Sequence, residues 1–499
     1  MRLKMTRRRA LVAAGGTALG ATVGIALAAC GEAEVAETPA EPAPATPAPA
    51  TAAPVQAAEP PPQQKAVEIE FVHDHVSGPR GEAMRWGLAS FASQFPEINV
   101  RFVVQPADFE DSFAIQQAAN SQGEVALLSG AFFMSWVEGG AFTQINDALS
   151  KNPRYDANAQ FFGPDAFSIN FWNRVPSSHL EPISGPTFGL PYQGNMIGYF
   201  FNVDMMTKAG IEFPTVGQWG IETEYLEALK KGTDPEIGQW GTRGLTGAWP
   251  HGLFLPLALS DRDDLMPVYN SDATRFEAYD EGGDRGLQFI IDMARTHKVS
   301  YPPGDYREIA GEFGDPFSAG KQMIWNAGGA VGTLANRIKD RFEWSMGPIP
   351  EGRNGEPHPN NFDGQPHLIT NTAERRGTVE QAVELINFFV GPGVQGRIAI
   401  DRGSLPYNKE AIASAEMAAG PPANHSLWND QAQRTDHRHL QWAHPNWSEM
   451  WPIFRWDKTF LGEETVEEGR LRVTTEADRF LERNHENWES LKRYAEAAS

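Results

Sequence analysis

The sequence predicts an α/β protein, and three observations lead to that class. Strand and helix patterns alternate after residue 65, beginning with a strand, a helix and a second strand within residues 67–104. Hydrophobic residues make up 41% and aromatic residues 11% of the chain, as in a globular body. The length of 499 residues exceeds that of one ordinary domain and is sufficient for two cores.

The first predicted unit is a pair of parallel strands connected by a helix. Residues 67–72 alternate polar and apolar side chains, which predicts a half-buried strand. Apolar residues then recur at helical spacing over 81–95, Pro96 ends that helix, and 99–104 is predicted to be the second strand. Because a strand, helix, strand order implies a crossover between parallel strands, this unit begins a doubly wound sheet.

The same alternation continues along the chain. Residues 125–128 are a short apolar run typical of a buried parallel strand. Helical periodicity predicts helices over 286–296 and 378–390, and 462–481 is predicted to be polar helix with short breaks. After Ala29 no stretch has 18 uncharged apolar residues, so no further membrane span is expected.

The first 29 residues are typical of an export signal. Five basic residues precede the charge-free stretch 10–29, which is rich in Ala and Gly and favours a secretory signal peptide over a transmembrane anchor. Residues 27–30, Leu-Ala-Ala-Cys, resemble the lipobox of bacterial lipoproteins and predict acylation of Cys30, the only cysteine. Residues 6–11 resemble a twin-arginine signal, although three arginines also fit a simple charged leader.

A proline- and alanine-rich segment joins this signal to the body. Residues 31–64 contain nine Pro, eleven Ala and no aromatic residue, so they are expected to stay extended and solvated as a membrane tether. The tether holds only five of the 64 acidic residues, and the body from residue 66 has 36 basic and 59 acidic residues, so its own net charge is −23. Such acidity argues against a nucleic-acid binder that neutralises phosphates.

The sequence holds only incomplete matches to the motifs that indicate catalysis, nucleotide binding or metal binding. Residues 314–321 lack the spacing and the hydroxyl of a phosphate-binding loop, and 328–332 lack the flanks of a dinucleotide site. There is no G-x-S-x-G or H-E-x-x-H motif, so no enzyme activity is expected. The histidines within 73–75 and 437–444 and the aspartates within 261–264 are interpreted as solvated or hydrogen-bonded, and neither a metal nor a cofactor is expected.

Short motifs follow one another in order through the body. They are Gly-Leu-Pro-Tyr at 189–192, Tyr-Phe-Phe-Asn-Val-Asp at 199–204, Ala-Gly-Ile at 209–211, Phe-Ser-Ala-Gly-Lys-Gln-Met at 317–323, Trp-Ser-Met-Gly-Pro-Ile-Pro at 344–350, Leu-Pro at 405–406 and Leu-Gly-Glu-Glu-Thr-Val-Glu-Glu at 461–468. In order and spacing they resemble the extracellular solute-binding proteins of bacterial ATP-binding-cassette (ABC) importers, in particular the sugar-binding group that includes maltose-binding protein. The resemblance covers nearly all of residues 66–499.

The resemblance implies a two-lobed fold of the periplasmic-binding-protein type, class II, with a central ligand cleft. Three interlobe crossings are implied, near 193–198, 324–328 and 366–370. The N-terminal lobe would then comprise 66–194 plus 326–368, and the C-terminal lobe 195–325 plus 369–499. Before them, 1–29 would be the signal peptide and 30–65 the lipidated cysteine and the tether.

The resemblance also implies a function. The chain would be lipid-anchored at the cell membrane, on its extracytoplasmic side, and would deliver a sugar or oligosaccharide to the transmembrane subunits of an ABC importer. Two positions depart from the family pattern, Gly123-Glu124 before the third strand and Gly329 after the second crossing. These departures leave the ligand open, so a receptor for a non-sugar solute and a sensory receptor that presents its ligand are the alternatives.

The candidate ligand contacts are polar and aromatic residues, because a sugar presents both hydroxyl groups and apolar C–H faces. The resemblance places Trp249 and Trp447 at stacking positions and Asn195 at a polar position of the cleft. Core packing of tryptophan and hydrogen bonding within loops are the alternative interpretations. The full candidate set is His73, His75, Ser129, Gln193, Asn195, Trp249, Trp325, Asn326, Asp363, Gly364, Arg402, Trp442 and Trp447.

Overall fold

The strands of the body form two main sheets and one short pair. The computed structural model describes residues 66–106, 109–128, 136–137, 139–160, 186–196, 198–243, 269–270, 272–280, 282–327, 331–358, 362–401, 404–432, 444 and 446–498. All of these residues fall within one compact unit, Gln64–Ser499.

The described strands are β1 (Val67–His73), β2 (Ile98–Val104), β3 (Val125–Leu127), β4 (Gly189–Met196), β5 (Gly198–Asn202), β6 (Thr242–Arg243), β7 (Ser300–Tyr301), β8 (Ile324–Ala327), β9 (Trp344–Gly347) and β10 (Phe362–Ile369). The described α-helices are α1 (Gly78–Gln94), α2 (Phe109–Ala119), α3 (Asn146–Lys151), α4 (Val203–Lys208), α5 (Leu226–Lys231), α6 (Gly283–Arg295), α7 (Tyr306–Ala310), α8 (Val331–Ile338), α9 (Asn371–Arg376), α10 (Val379–Val390), α11 (Pro392–Asp401), α12 (Lys409–Ile412), α13 (Ala415–Ala418), α14 (Ser426–Ala432), α15 (Trp447–Met450), α16 (Asp457–Leu461) and α17 (Val466–Ala498). Short 3-10 and π segments connect several of them.

The first sheet has the strand order β2-β1-β3-β10-β4. β1 is parallel to both β2 and β3, whereas β10 is antiparallel to β3 and to β4. β4 therefore runs in the same direction as β1 and β3. The carboxyl ends of these three strands meet at one edge of the sheet, the edge at which open α/β sheets usually bind ligands.

The predicted strand, helix, strand unit is confirmed. α1 has a proline in its first turn, where no backbone N–H is needed, and it ends before Pro96. Its buried side chains, Met84 and Phe91 among them, share a core with Phe71 of β1. β1 itself differs from the prediction of a half-buried strand, because its last three residues are all buried and its two faces belong to different apolar clusters.

The second sheet has the order β8-β5-β9, with β5 antiparallel to both neighbours. Its core joins Tyr199 and Phe201 of β5 to Ile290 of α6 and Phe480 of α17. α17 runs for 33 residues without interruption, so the predicted breaks are confined to the turn before Val466. Among the described residues, no helix has both the length and the hydrophobicity needed to cross a bilayer.

The packing of two segments differs from the division of lobes that the resemblance implies. β9 pairs with β5, so it lies in the second sheet, although 326–368 was assigned to the N-terminal lobe. α10 and α11 share the core of the first sheet, although 369–499 was assigned to the C-terminal lobe. The first difference arises because a strand partner far away in the chain, which local periodicity does not encode, decides where β9 packs. The second arises because the apolar faces of α10 and α11 pack with the side chains of β1 and α1.

Candidate functional site

Polar side chains from three strands gather at the edge where β1, β3 and β4 end. His73 is the last residue of β1 and His75 follows it, Gln193 lies on β4, and Gln365 and His367 lie on β10. We refer to these five residues as the histidine cluster. His73 and His367 are fully buried, and His75 and Gln193 expose only 5% and 3% of their surface.

Hydrogen bonds connect the histidine cluster across the sheet. Nε2 of His73 lies 3.1 Å from Nε2 of His367, and the backbone N–H of His75 donates to Nδ1 of His73 over 3.0 Å. Nε2 of Gln193 lies 3.1 Å from Nε2 of His75 and also donates to the side-chain oxygen of Gln365. The cluster therefore ties the end of β1 to both β10 and β4.

Aromatic rings enclose the two buried imidazoles. The ring of Tyr192 stacks on His367 with centroids 4.2 Å apart and planes at 20°. Tyr192 and Phe71 both meet His73 edge to face, and Phe102 lies 6.3 Å away on β2. His73 was expected to face a ligand, and in this conformation the packing leaves it no exposed surface.

Burial keeps the three imidazoles uncharged at neutral pH. Desolvation lowers the pKa of His73, against the opposing pull of Asp74. Desolvation lowers the pKa of His75 to about 2, helped by the repulsion that a protonated His73 would add and by the Arg80 cation. The pKa of His367 also lies well below its ordinary value, because of desolvation first and then of His73 and His75. The site therefore offers neutral hydrogen-bonding groups.

Asp74 is the carboxylate beside the histidine cluster. Its Oδ1 lies 3.6 Å from Nδ1 of His73 and 3.4 Å from Nε2 of His75, so these three residues are close enough together to hold a metal ion. However, His73 Nδ1 already accepts the backbone N–H of His75, and His75 Nε2 faces the amide nitrogen of Gln193. The Arg80 cation also acts on all three groups. A metal ion would have to displace both hydrogen bonds.

The pairing of β4 with β10 brings further candidates together. Asn195 lies opposite Asp363, and Gly364 lies opposite Gly194. Gly194 in turn exchanges backbone hydrogen bonds with Leu405 of the Leu-Pro motif, over 2.7 and 3.3 Å. The backbones of the candidate residues Asn195, Asp363 and Gly364 are thus adjacent, whereas the side chains of Asn195 and Asp363 lie outside the described part of the chain.

The candidates on β8 face apolar surroundings. Trp325 is half-buried and stacks on Phe317 with centroids 5.9 Å apart, which favours the core-packing interpretation. Asn326 is 3% exposed and hydrogen-bonds to Tyr199 and Tyr225 of the second core. Its Oδ1 atom is buried and has no hydrogen-bond partner within the described residues.

Several candidates lie outside the described residues, namely Ser129, Trp249, Arg402 and Trp442. Trp447 begins α15, but its side chain is not among those described. His367, Gln365 and Tyr192 were missed by the sequence reasoning. Gln365 and His367 alternate with the buried Pro366 and Leu368 on β10, and this alternation is the signal that could have identified them.

Comparison with known proteins identifies one family. The model of the family described as bacterial extracellular solute-binding protein matches residues 80–396. No curated protein matches the chain significantly.

Solved structures share the fold at low sequence identity. An ABC substrate-binding protein from Listeria monocytogenes in complex with cycloalternan is 16% identical, with a TM-score of 0.67 over 83% of this chain and 99% of that one. An ABC transporter solute-binding protein from Thermotoga lettingae bound with alpha-D-tagatose is 16% identical, with a TM-score of 0.63 over 83% and 100%. The sugar-binding protein MalE from Xanthomonas citri is 16% identical, with a TM-score of 0.64 over 85% and 99%. The fold is therefore two-lobed and mixed α/β.

Proposed function

Because the chain belongs to the bacterial extracellular solute-binding protein family, we propose that it captures a carbohydrate in the cleft between its lobes and does not transform it. The observation that carries this proposal is the histidine cluster, a set of uncharged donors and acceptors at the ligand-binding edge of the first sheet. Neutral polar groups suit a solute with many hydroxyls and no charge, since each hydroxyl both donates and accepts. Structures with the same fold are described with cycloalternan and alpha-D-tagatose bound.

Aromatic side chains would supply the apolar half of the site. A sugar ring packs its C–H face on an aromatic ring while its hydroxyls meet polar groups at the edge. Trp249, Trp442 and Trp447 are the candidates for this role, and Asn195 and Asp363 are candidates for the hydroxyls. Ser129 and Arg402 complete the proposed set of contacts. Closure of the lobes about the crossings would then bring both halves of the site onto the solute.

The protein would act as the receptor of an ABC importer. In this proposal a lipid on Cys30 holds the protein on the extracytoplasmic face of the membrane, and residues 31–64 form the tether that lets the body reach the transmembrane subunits. Replacing Cys30 with Ser should release the protein from washed membranes. Continued tight membrane association of the Cys30→Ser variant would instead support an uncleaved anchor.

A thermal-shift screen of the purified protein tests the ligand class. The panel contains maltose, mannobiose, D-tagatose and cycloalternan, all of them ligands of structures with this fold, together with amino acids, oligopeptides and divalent metals. A ligand that binds only the folded state adds about 2.7 kcal/mol of stability at a hundredfold excess over its Kd. A shift confined to carbohydrates supports the proposal. A shift with a peptide, an amino acid or a metal alone would refute it.

A further inference from the structure

A fully buried histidine beside the core of the second sheet lies outside the histidine cluster. His444 exposes none of its surface, and its ring stacks on Trp488 of α17 with centroids 5.6 Å apart and planes at 9°. The ring centroids of Tyr269 and Phe480, which belong to the same core, lie 5.8 and 6.1 Å from that of His444. The imidazole of His444 is therefore held in place by aromatic side chains.

His444 holds the backbone two residues further along the chain. The backbone N–H of Asn446 donates to Nδ1 of His444 over 3.0 Å. Desolvation lowers the pKa of His444 to about 3, helped by the repulsion that a protonated His485 would add. The ring is therefore neutral at physiological pH, and its Nδ1 can accept this hydrogen bond. The backbone of Asn446 is thus tied to an imidazole that is packed against the core.

Asn446 immediately precedes the short helix α15 and holds its first turn. The backbone oxygen of Asn446 accepts from the N–H groups of Glu449 and Met450, over 3.0 and 3.2 Å. Its Nδ2 donates to Oε1 of Glu449 over 3.0 Å, and its Oδ1 accepts from Nδ2 of Asn487 on α17 over 2.9 Å. Met450 at the other end of α15 is fully buried in the second core. Both ends of α15 are therefore fixed relative to α17.

Trp447 is the first residue of α15, so these contacts determine where its backbone lies. We propose that His444 and Asn487 are positioning residues, which hold Trp447 where its ring can stack on the solute. The inference rests on the proposed function, because it requires Trp447 to be one of the aromatic contacts. An aromatic ring contributes binding energy only when it is held close to its partner in the right orientation. A displaced α15 should therefore cost affinity, although neither positioning residue has to touch the solute.

The variant His444→Phe tests the backbone contact, since phenylalanine keeps an aromatic ring and has no acceptor for the N–H of Asn446. For a carbohydrate of the panel that binds the wild type, we expect His444→Phe to raise the Kd about tenfold. The same substitution in a Trp447→Ala protein should change the Kd no further, because His444 acts through Trp447. A general structural role of His444 would instead raise the Kd by the same factor in both proteins.

The variant Asn487→Ala tests the second contact at an exposed position, where the substitution does not disturb the core. Loss of the hydrogen bond to Oδ1 of Asn446 should raise the Kd about threefold. Asn484→Ala is the matched control, because Asn484 lies on the same helix and its Nδ2 donates to the backbone oxygen of Phe480 within α17. This control variant should leave the Kd unchanged.

Fluorine nuclear magnetic resonance of the purified protein labelled with 5-fluorotryptophan follows Trp447 without any ligand. The signal of Trp447 is the one among those of the 14 tryptophans that is lost in the Trp447→Phe variant. We expect its chemical shift to change in His444→Phe and in Asn487→Ala, and to stay the same in Asn484→Ala.

The outcomes separate this inference from the proposed function. An unchanged Trp447 signal in Asn487→Ala and His444→Phe overturns the positioning role, and the exposed Asn487 variant suffices even where His444→Phe fails to fold. Equal affinities of wild type and His444→Phe, or the same increase in Kd with and without Trp447, also overturn that role while leaving the proposed function in place. If the wild type binds none of the carbohydrates, the proposed function fails and the inference fails with it.

Discussion

The three buried histidines of the cluster should make the protein unstable in mild acid. Their pKa values are lower in the folded protein than in the unfolded chain, so between those two values the unfolded chain binds more protons. Above pH 6.5, the approximate pKa of histidine in the unfolded chain, the three histidines are neutral in both states, and their stabilising contribution is complete. Below that pH the unfolded chain becomes protonated first, so this contribution to the free energy of unfolding is lost progressively. The free energy of unfolding should therefore decrease from pH 6.5 downwards.

The size of the effect follows from the depth of burial. Each histidine that stays neutral in the fold costs up to about 1.4 kcal/mol of stability for every pH unit below 6.5. At pH 5.0 this amounts to about 2 kcal/mol for each histidine that is still neutral there. Domains are typically stable by only about 5–15 kcal/mol, so acid should remove a large part of the total.

The variant His367→Gln isolates one of these contributions. His367 is fully buried and stacked on Tyr192, and glutamine can accept the hydrogen bond from His73 without titrating. The assay is urea unfolding followed by tryptophan fluorescence at several pH values between 5.0 and 7.5. The variant loses some stability at every pH, but its loss between pH 6.5 and 5.0 should be smaller than the wild-type loss by about 2 kcal/mol.

The comparison depends on how the free energy of unfolding changes with pH, and not on its value at one pH. Carboxyl groups contribute equally to both proteins and cancel in the comparison. His297→Gln controls for replacing a histidine outside the cluster. Parallel curves for wild type and His367→Gln would refute the reasoning, because they would show that His367 binds a proton in the folded protein as readily as in the unfolded chain.

Three further substitutions test packing and charge near the same sheet. Gly189→Ala should destabilise the protein by about 1–3 kcal/mol in urea unfolding, since its Cβ would lie 2.3 Å from the backbone oxygen of His367. Gly396 lies on α11, and a Cβ added there would meet no atom within 4 Å, so Gly396→Ala should instead stabilise the protein by about 0.5–1 kcal/mol. Arg376→Gln should cost about 2–4 kcal/mol, because it leaves the fully buried carboxylate of Glu124 without its cation.

An exposed ion pair provides the control for the Arg376→Gln variant. Arg353 and Glu222 are joined over 2.8 Å with both side chains partly exposed, so Arg353→Gln should cost less than about 1 kcal/mol. Equal losses in the two arginine variants would contradict the argument from burial. Likewise, equal stabilities of Gly189→Ala and Gly396→Ala would contradict the close approach of β4 to β10.

The strands and helices with a clear local pattern could be predicted from the sequence. The alternation in 67–72, the helical spacing over 81–95 and the apolar run at 125–128 each correspond to an observed element, with bounds that differ by a few residues. β4 ends at Met196 in the first sheet and β5 begins at Gly198 in the second, while the first crossing near 193–198 stays a prediction. The elements with a clear local pattern depend on neighbours in the sequence, which periodicity records.

The remaining features depend on partners far away in the chain. β9 is a short apolar segment that would suit either sheet, and only its pairing with β5 decides the matter. His367 was overlooked because its partner, His73, lies 294 residues away. His73 and His75 were selected for their position after a predicted strand, yet their burial and their hydrogen bonds follow from β4 and β10.

Isothermal titration calorimetry with the carbohydrate that gives the largest thermal shift measures directly whether the protein binds a sugar. We expect saturable binding with one site per chain and a negative heat-capacity change from the enclosed apolar surface. The absence of saturable heat with every carbohydrate of the panel, together with saturable binding of an amino acid, a peptide or a metal, would contradict the proposed function.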